Sequence, residues 1–287
     1  MLGACLCFSA MVATSKVLGA TYDTPQQVFF RNLIGVIFVL GSLVRRPARH
    51  VGGRPLLLVS RGIIGTISLY LLFYAVSTLG MARSITYQYT YPLLMALFSY
   101  LFTADKPAKR EVAAIVIGMA GVWFIFKPDM TMPPESHMIG LANALLTTFA
   151  YLAIKQLSSY YDARYIVLSF MLSGLALPIL SFIGGQAFAS SDAGFFIGHF
   201  KWPENGFHWL LFLSMGLTAL AGQVLMTHAF AAGSVTRVAP IGYSSIFFST
   251  IIGIALGESI PDPATITGMA LIVGGGVLVT AFPRGEV

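Results

Sequence analysis

The sequence predicts an all-α membrane protein, with ten transmembrane helices forming two inverted five-helix repeats. Three observations carry this expectation. Charged residues are 10% of the chain, apolar residues 56%, and mean hydropathy is +0.80, whereas a soluble domain carries roughly a quarter charged residues. The apolar residues gather into ten runs, most near the ~20 residues that cross a bilayer as a helix. Short motifs then recur in the same order in the two halves.

The runs cover residues 1–20, 26–44, 56–79, 82–102, 110–127, 138–158, 163–184, 207–231, 235–256 and 264–282. The first begins at Met1 without a basic leader region and is followed by further spans, so it reads as a first helix and not as a cleaved signal. Proline punctuates the breaks, at Pro25, Pro47, Pro55, Pro107, Pro128, Pro133, Pro134, Pro203, Pro261 and Pro263, because it ends or redirects helices. The one long connection, 185–206, contains FFIGHFKW and reads as an aromatic piece lying at the lipid headgroups.

Basic residues set the orientation. Arg45, Arg46, Arg49 and Arg54 follow the second run, and Lys106, Lys109 and Arg110 follow the fourth. With Lys155, Arg164, Arg237 and Arg284, they place eleven cations on one side against four (Lys16, Arg83, Lys127 and Lys201) on the other. The positive-inside rule then puts both termini in the cytoplasm of a cell (inner or plasma) membrane. The net charge of +6 is spread over these short breaks, so a nucleic-acid partner is not expected. The partners expected are lipid and a small-molecule substrate. One chain is enough to form the bundle, and the oligomeric state stays open.

Cys5 and Cys7 are the only cysteines. Two residues apart on a helix, they point away from each other and suit neither a disulfide nor a metal site. No metal spacing, nucleophile–base pair or phosphate-binding loop is present, so neither enzyme activity nor a cofactor is expected.

The repeat pairs TYPLLMALFSYL with GYSSIFFSTIIG, placing Tyr91 against Tyr243. It pairs IVIGMAGVWF with LIVGGGVLVT, and FSAMVATSK with TTFAYLAIK, placing Lys16 against Lys155. The halves are a first repeat over 1–130 and a second over 138–284. An odd helix number per half forces inversion, which puts the substrate site between the halves near the midplane.

These residues carry a family resemblance. FFRNLIG with Arg31, FYAVSTLGMARSITYQYTYPLLMALFSYL, HAFAAGSVTRVAPIGYSSIFFSTIIGIALGESI with Gly257-Glu258, and GMALIVGGGVLV together resemble the EamA-type, ten-helix group of the drug/metabolite transporter superfamily. The resemblance covers essentially the whole chain. It departs at Ala104-Asp105, where Gly-Glu is common in the family. It implies a ten-helix basket that moves small metabolites, often outward, and it does not name the substrate.

Candidate site residues follow from polarity inside apolar spans. Ser84, Gln88 and Tyr91 share one helical face, with Tyr87 beside them. A polar, aromatic face needs a cavity or neighbouring helices rather than lipid. Tyr89 is the weaker candidate of this cluster. Tyr70 and Tyr74 lie on a stripe with Thr66 and Ser77, and Gln223 and Thr227 share a face. Tyr243 joins a stripe with Thr236, Pro240 and Phe247. Lys16, and Lys155 one turn after Tyr151, fit two roles, snorkelling to an interface or lining the two mouths of the cavity. Arg31, well inside the second helix, is either a structural clamp or a bidentate holder of a carboxylate. Asn143 reads equally as an interhelical hydrogen-bonder, and His228 reads as a bundle residue more than a proton relay. The small residues Gly62/Gly65, Gly118/Gly121 and Gly274/Gly275/Gly276 read as packing surfaces.

No Asp or Glu falls near a helix centre. That argues against a carboxylate ion-coupling site and against a cationic cargo. The function expected is secondary-type transport of small polar metabolites, amino acids or related carboxylates, by alternating access as export or exchange. The alternatives are an importer of a nucleoside-like or phosphorylated metabolite and, in a different class, a membrane sensor or enzyme.

Overall fold

A computed structural model describes residues 1–48, 52–79, 81–102, 109–126, 134–187, 196–257, 260 and 262–281. Within them the chain forms twelve helices and no β-strand. These are α1 (Leu2–Leu18), α2 (Thr24–Arg45), α3 (Pro55–Leu79), α4 (Met81–Gln88), α5 (Tyr91–Phe102) and α6 (Lys109–Phe126). The second half supplies α7 (Pro134–Leu157), α8 (Ala163–Ala187), α9 (Gly206–Ala232), α10 (Val235–Ile241), α11 (Ser244–Ala255) and α12 (Pro263–Ala281). The Ala104-Asp105 and Glu258 positions lie outside the described residues.

Helix ends follow local chemistry. Asn205 accepts a hydrogen bond from the His208 amide at 2.9 Å and starts α9. Asp162 accepts from the Arg164 amide at 2.9 Å and starts α8. Pro25 occupies the first turn of α2, where its missing N–H costs nothing.

Two expected helices are each broken in two. The run 82–102 divides at Tyr89-Thr90 into α4 and α5, and the run 235–256 divides at Gly242-Tyr243 into α10 and α11. Proline lies near both breaks, Pro92 in the first turn of α5 and Pro240 inside α10 two residues before Gly242. Pro92 and Pro240 have no N–H, so the carbonyls one turn earlier lose their usual donors. The chain tightens nearby to three-residue hydrogen bonds, from Thr90 N to Tyr87 O at 3.0 Å, Gly242 N to Ala239 O at 2.9 Å and Tyr243 N to Pro240 O at 3.1 Å.

The packing is layered. α1 lies against α9 and α11; α7 lies against α3 and the α4–α5 break. α2 packs on α8 and α9, α3 packs on α8, and α6 pairs with α12 to one side. Small residues permit the closest approaches. A Cβ on Gly62 of α3 would stand 2.7 Å from the Ser169 carbonyl oxygen of α8. One on Gly174 would collide with the Asn32 amide of α2. Ile37, Phe38, Leu180, Ile183 and Leu210 project outward, as lipid-facing side chains do. Six stretches are long and apolar enough to cross a membrane: Thr24–Arg45, Pro55–Leu79, Met138–Leu157, Ala163–Gly185, Gly206–Ala232 and Arg237–Ala255.

The described part of the long connection, 196–205, is pinned to the bundle as well as being aromatic. Lys201 N donates to Gln26 Oε1 at 3.0 Å, and Gln26 Nε2 donates back to Lys201 O. Glu204 N donates to Tyr22 Oη at 3.0 Å, and Phe200 packs among Phe29, Phe30 and Phe182.

Candidate functional site

A cavity lies where α1, α3 and α7 meet the two broken helices. α1 contributes Cys5, Ser9, Met11 and Val12; α3 contributes Arg61, Gly65, Ser68 and Leu72. α2 and α8 each send in one large side chain, Arg31 and Phe170. Gln88, Tyr89 and Tyr91 come from the α4–α5 break, Thr147 and Tyr151 from α7, Gln223 from α9, and Gly242 with Ser245 and Ser249 from the α10–α11 break. Among the described residues, none of this lining comes from α6 or α12. The volume, about 70 Å³, accepts about five waters. That is well short of the ~300 Å³ of a small-molecule site.

The charge in this cavity is all of one sign. Arg31 and Arg61 are each 2% exposed, and no described lining residue is Asp or Glu. Arg31 Nη1 donates to Asn32 Oδ1 at 2.9 Å, and its Nε points at Met11 Sδ, 3.2 Å away. Asn32 is itself held by Val28 O and Gly174 O, at 2.7 and 3.3 Å. Arg61 has no such support, since its Nε and Nη1 find no hydrogen-bond partner among the described residues. Both guanidiniums lie over the Phe170 ring, 5.1 Å (Arg31) and 4.5 Å (Arg61) from its centroid. A ring quadrupole attracts a cation by about 2 kcal/mol or more when desolvated, and it does not neutralise one.

Aromatic and hydroxyl groups complete the wall. Tyr91 meets Tyr151 edge-on at 5.1 Å and Tyr89 at 5.8 Å, and Tyr151 packs on Phe230. Ser9 Oγ donates to Ser245 O at 3.1 Å, and Ser249 Oγ donates to Ser9 Oγ at 3.0 Å. Gln223 Nε2 remains without a partner among the described residues. Buried polar atoms left this way each cost about 1–3 kcal/mol, a cost that a bound polar ligand relieves.

Of the residues singled out from sequence, Arg31, Gln88, Tyr91, Tyr151 and Gln223 come together here. The rest stand elsewhere. Tyr70 bonds Ser181 Oγ at 3.2 Å and stacks on Phe196. Tyr74 is half-buried further along α3, and Tyr87 packs over Gly140 of α7. Thr227 turns its hydroxyl back to Gln223 O at 2.7 Å. Tyr243 is buried against Gly118, with its hydroxyl unpartnered among the described residues. Lys16 is half-buried in the last turn of α1. Lys155 donates to Ala231 O and Gly233 O, at 3.2 and 2.9 Å, and so holds the end of α9. Asn143 bonds Ser68 O of α3 at 2.6 Å, and His228 is exposed.

Two further wall residues, Tyr89 and Arg61, emerge from the structure. Tyr89 reaches the cavity because the helix break resets its phase. Arg61 is not among the sequence candidates; the signal for it is a charge inside the apolar run 56–79, which is itself a functional signal.

Comparison with known proteins assigns the molecule to a class. Residues 1–127 match the EamA-like transporter family. The pseudopaline exporter CntI of Pseudomonas aeruginosa (strain UCBPP-PA14) is 30% identical over 97% of this chain and 93% of its own. The chain belongs to the EamA-like family of the drug/metabolite transporter superfamily. An uncharacterized transporter of Helicobacter pylori (strain 26695) is 24% identical over 96% of this chain and 91% of its own. Mouse solute carrier family 35 member G1 is 24% identical over 85% and 67%. A crystal structure 19% identical superposes with a TM-score of 0.73 over 97% of this chain and 96% of that one, a likeness of fold. The protein is thus a multi-pass membrane transporter, and the cavity is its candidate substrate site.

Proposed function

We propose that this transporter moves small polar metabolites bearing carboxylates, amino acids or related carboxylates, by alternating access between two inverted five-helix halves. The observation that carries the substrate class is the pair of buried guanidiniums in an acid-free cavity. Guanidinium stays charged at any physiological pH and binds carboxylate bidentately. An anionic group on the substrate is the cheapest source of the missing charge. The name of one relative, a pseudopaline exporter, agrees with outward movement of a small metabolite.

The packing pattern supports the inverted halves, 1–130 and 138–284. Exchanging the halves turns the α1–α9 contact into α7–α3 and the α2–α9 contact into α8–α3, and it maps α6–α12 onto itself. Broken helices facing one another at the centre are the form such carriers use for their sites. The expected setting is a cell membrane with both termini cytoplasmic, and a single chain suffices.

Counterflow in proteoliposomes tests this reading. Vesicles are preloaded with pools of unlabelled amino acids or carboxylates and challenged with trace label. Exchange with an anionic or zwitterionic pool, reduced in Tyr91→Ala, is expected. Uptake of an organic cation alone would overturn it.

A further inference from the structure

We propose that Arg31 and Arg61 form one site that takes a substrate through two carboxylates, one on each guanidinium. The inference rests on the carboxylate-carrier reading and narrows it to short diacids. Arg61 is the decisive residue. It is as buried as Arg31, yet its Nε and Nη1 have no hydrogen-bond partner among the described residues. Such donors, desolvated on a permanent cation, call for an anion.

The geometry sets the kind of anion. Both guanidinium carbons lie on the Phe170 ring, at 5.1 and 4.5 Å from its centre, so they stand no farther apart than those two lengths together. The ring carries no conventional hydrogen-bond acceptor, so Arg61 Nε and Nη1 still lack a partner that a ligand can supply. Gly65 makes room for this arrangement, because a Cβ there would sit 3.0 Å from the Phe170 ring and 3.4 Å from Arg61 Nη1. Four- or five-carbon diacids hold their carboxylates about 4–6 Å apart, long enough to reach both guanidiniums within that limit.

Charge points the same way. A monocarboxylate would leave one guanidinium uncompensated in the bundle core, whereas a dicarboxylate leaves none. The two cations also arrive on separate helices, α2 and α3, and so offer two edges rather than one focus. That favours two separated carboxylates over a single phosphate.

The test uses the purified full-length protein, with thermal unfolding as the binding readout, since a ligand of the folded state raises the midpoint. The probes are succinate, glutarate, monomethyl succinate and inorganic phosphate at matched ionic strength. Succinate or glutarate should half-saturate at a concentration about tenfold or more below that of monomethyl succinate, the effect of one charge-assisted pair. Arg61→Gln should reduce that ratio to about threefold or less, and Arg61→Lys should recover part of it. The wild-type comparison stands even if Arg61→Gln does not fold.

Equal affinity for the diacid and its monoester, with carboxylate counterflow intact, would overturn the proposal and leave the carrier reading standing. Tighter binding of phosphate than of either diacid would also overturn it. So would an Arg61→Gln protein that weakens both ligands equally, because that marks a structural role. Transport of organic cations alone would remove both readings.

Discussion

Arg31 shows how one side chain links packing to chemistry. Asn32 holds its Nη1 from the same helix while α8 holds Asn32 through Gly174 O. The guanidinium is therefore aimed before any ligand arrives, which lowers the ordering cost of binding. Lysine lacks the planar fork and cannot reproduce that aim. Arg31→Lys should lower counterflow by about tenfold or more with the amount of folded protein unchanged, measured in matched proteoliposomes. Tyr91 and Gly242 give a second case. A Cβ on Gly242 would fall 2.0 Å from Tyr91 Oη and 2.8 Å from the Ala239 carbonyl oxygen. Gly242→Ala should destabilise the fold by about 1–3 kcal/mol, as overpacking does. Adding Tyr91→Phe should restore part of the loss, because it deletes the nearest atom. Thermal unfolding of the single and double variants reads both effects.

At the scale of elements, the broken helices are the parts suited to move. Their breaks have exchanged regular hydrogen bonds for tighter turns, and such interruptions mark hinges. Neighbouring helices brace them. Cys5 Sγ lies 3.6 and 3.7 Å from Ile241 O and Gly242 O, and Thr148 of α7 donates to Tyr91 O at 3.4 Å. The ends of other helices are fixed by charge. Arg164 pairs with Asp162 at 3.0 Å and donates to Ser42 O and Arg46 O, at 3.2 and 2.6 Å, joining α8 to the end of α2. The hydrogen bond from the Arg164 side chain holds the Asp162 carboxyl below the usual range. A depressed carboxylate stabilises the fold above the unfolded-state value of about 4, and the contribution is lost as pH falls through the folded value. The unfolding temperature should therefore hold from pH 7 to 5 and drop below about 4, more steeply for the wild type than for Asp162→Asn.

For the whole molecule, the alternating-access proposal makes the charge of the cavity in each transport state the controlling quantity. Empty, it carries two guanidiniums without a described acidic partner. Closing such a cavity away from water costs several kcal/mol per unpaired ion, and a bound anion removes that cost. The loaded carrier should reorient faster than the empty one. Unlabelled substrate on the far side should accelerate labelled efflux by about fivefold or more, for a difference of only ~1 kcal/mol in barrier. Efflux indifferent to the far side would show that the empty form turns over freely.

What the sequence determined by itself was the medium, the helices and the family. Composition and run length require a membrane, since 56% apolar residues in runs of this kind have no other solvent. Run boundaries lie close to the helix ends because proline and capping residues act locally. Gln88, Tyr91, Tyr151 and Gln223 were legible as cavity residues because polar groups in apolar spans need a wet or polar neighbour. Only the tertiary structure decided which of the candidates meet. Tyr70, Thr227 and Lys155 have the right chemistry, yet neighbouring groups occupy them. Arg61 acquires its neighbour from α8, which brings the Phe170 ring against both guanidiniums. That juxtaposition joins residues far apart in the chain, and no helical period encodes it.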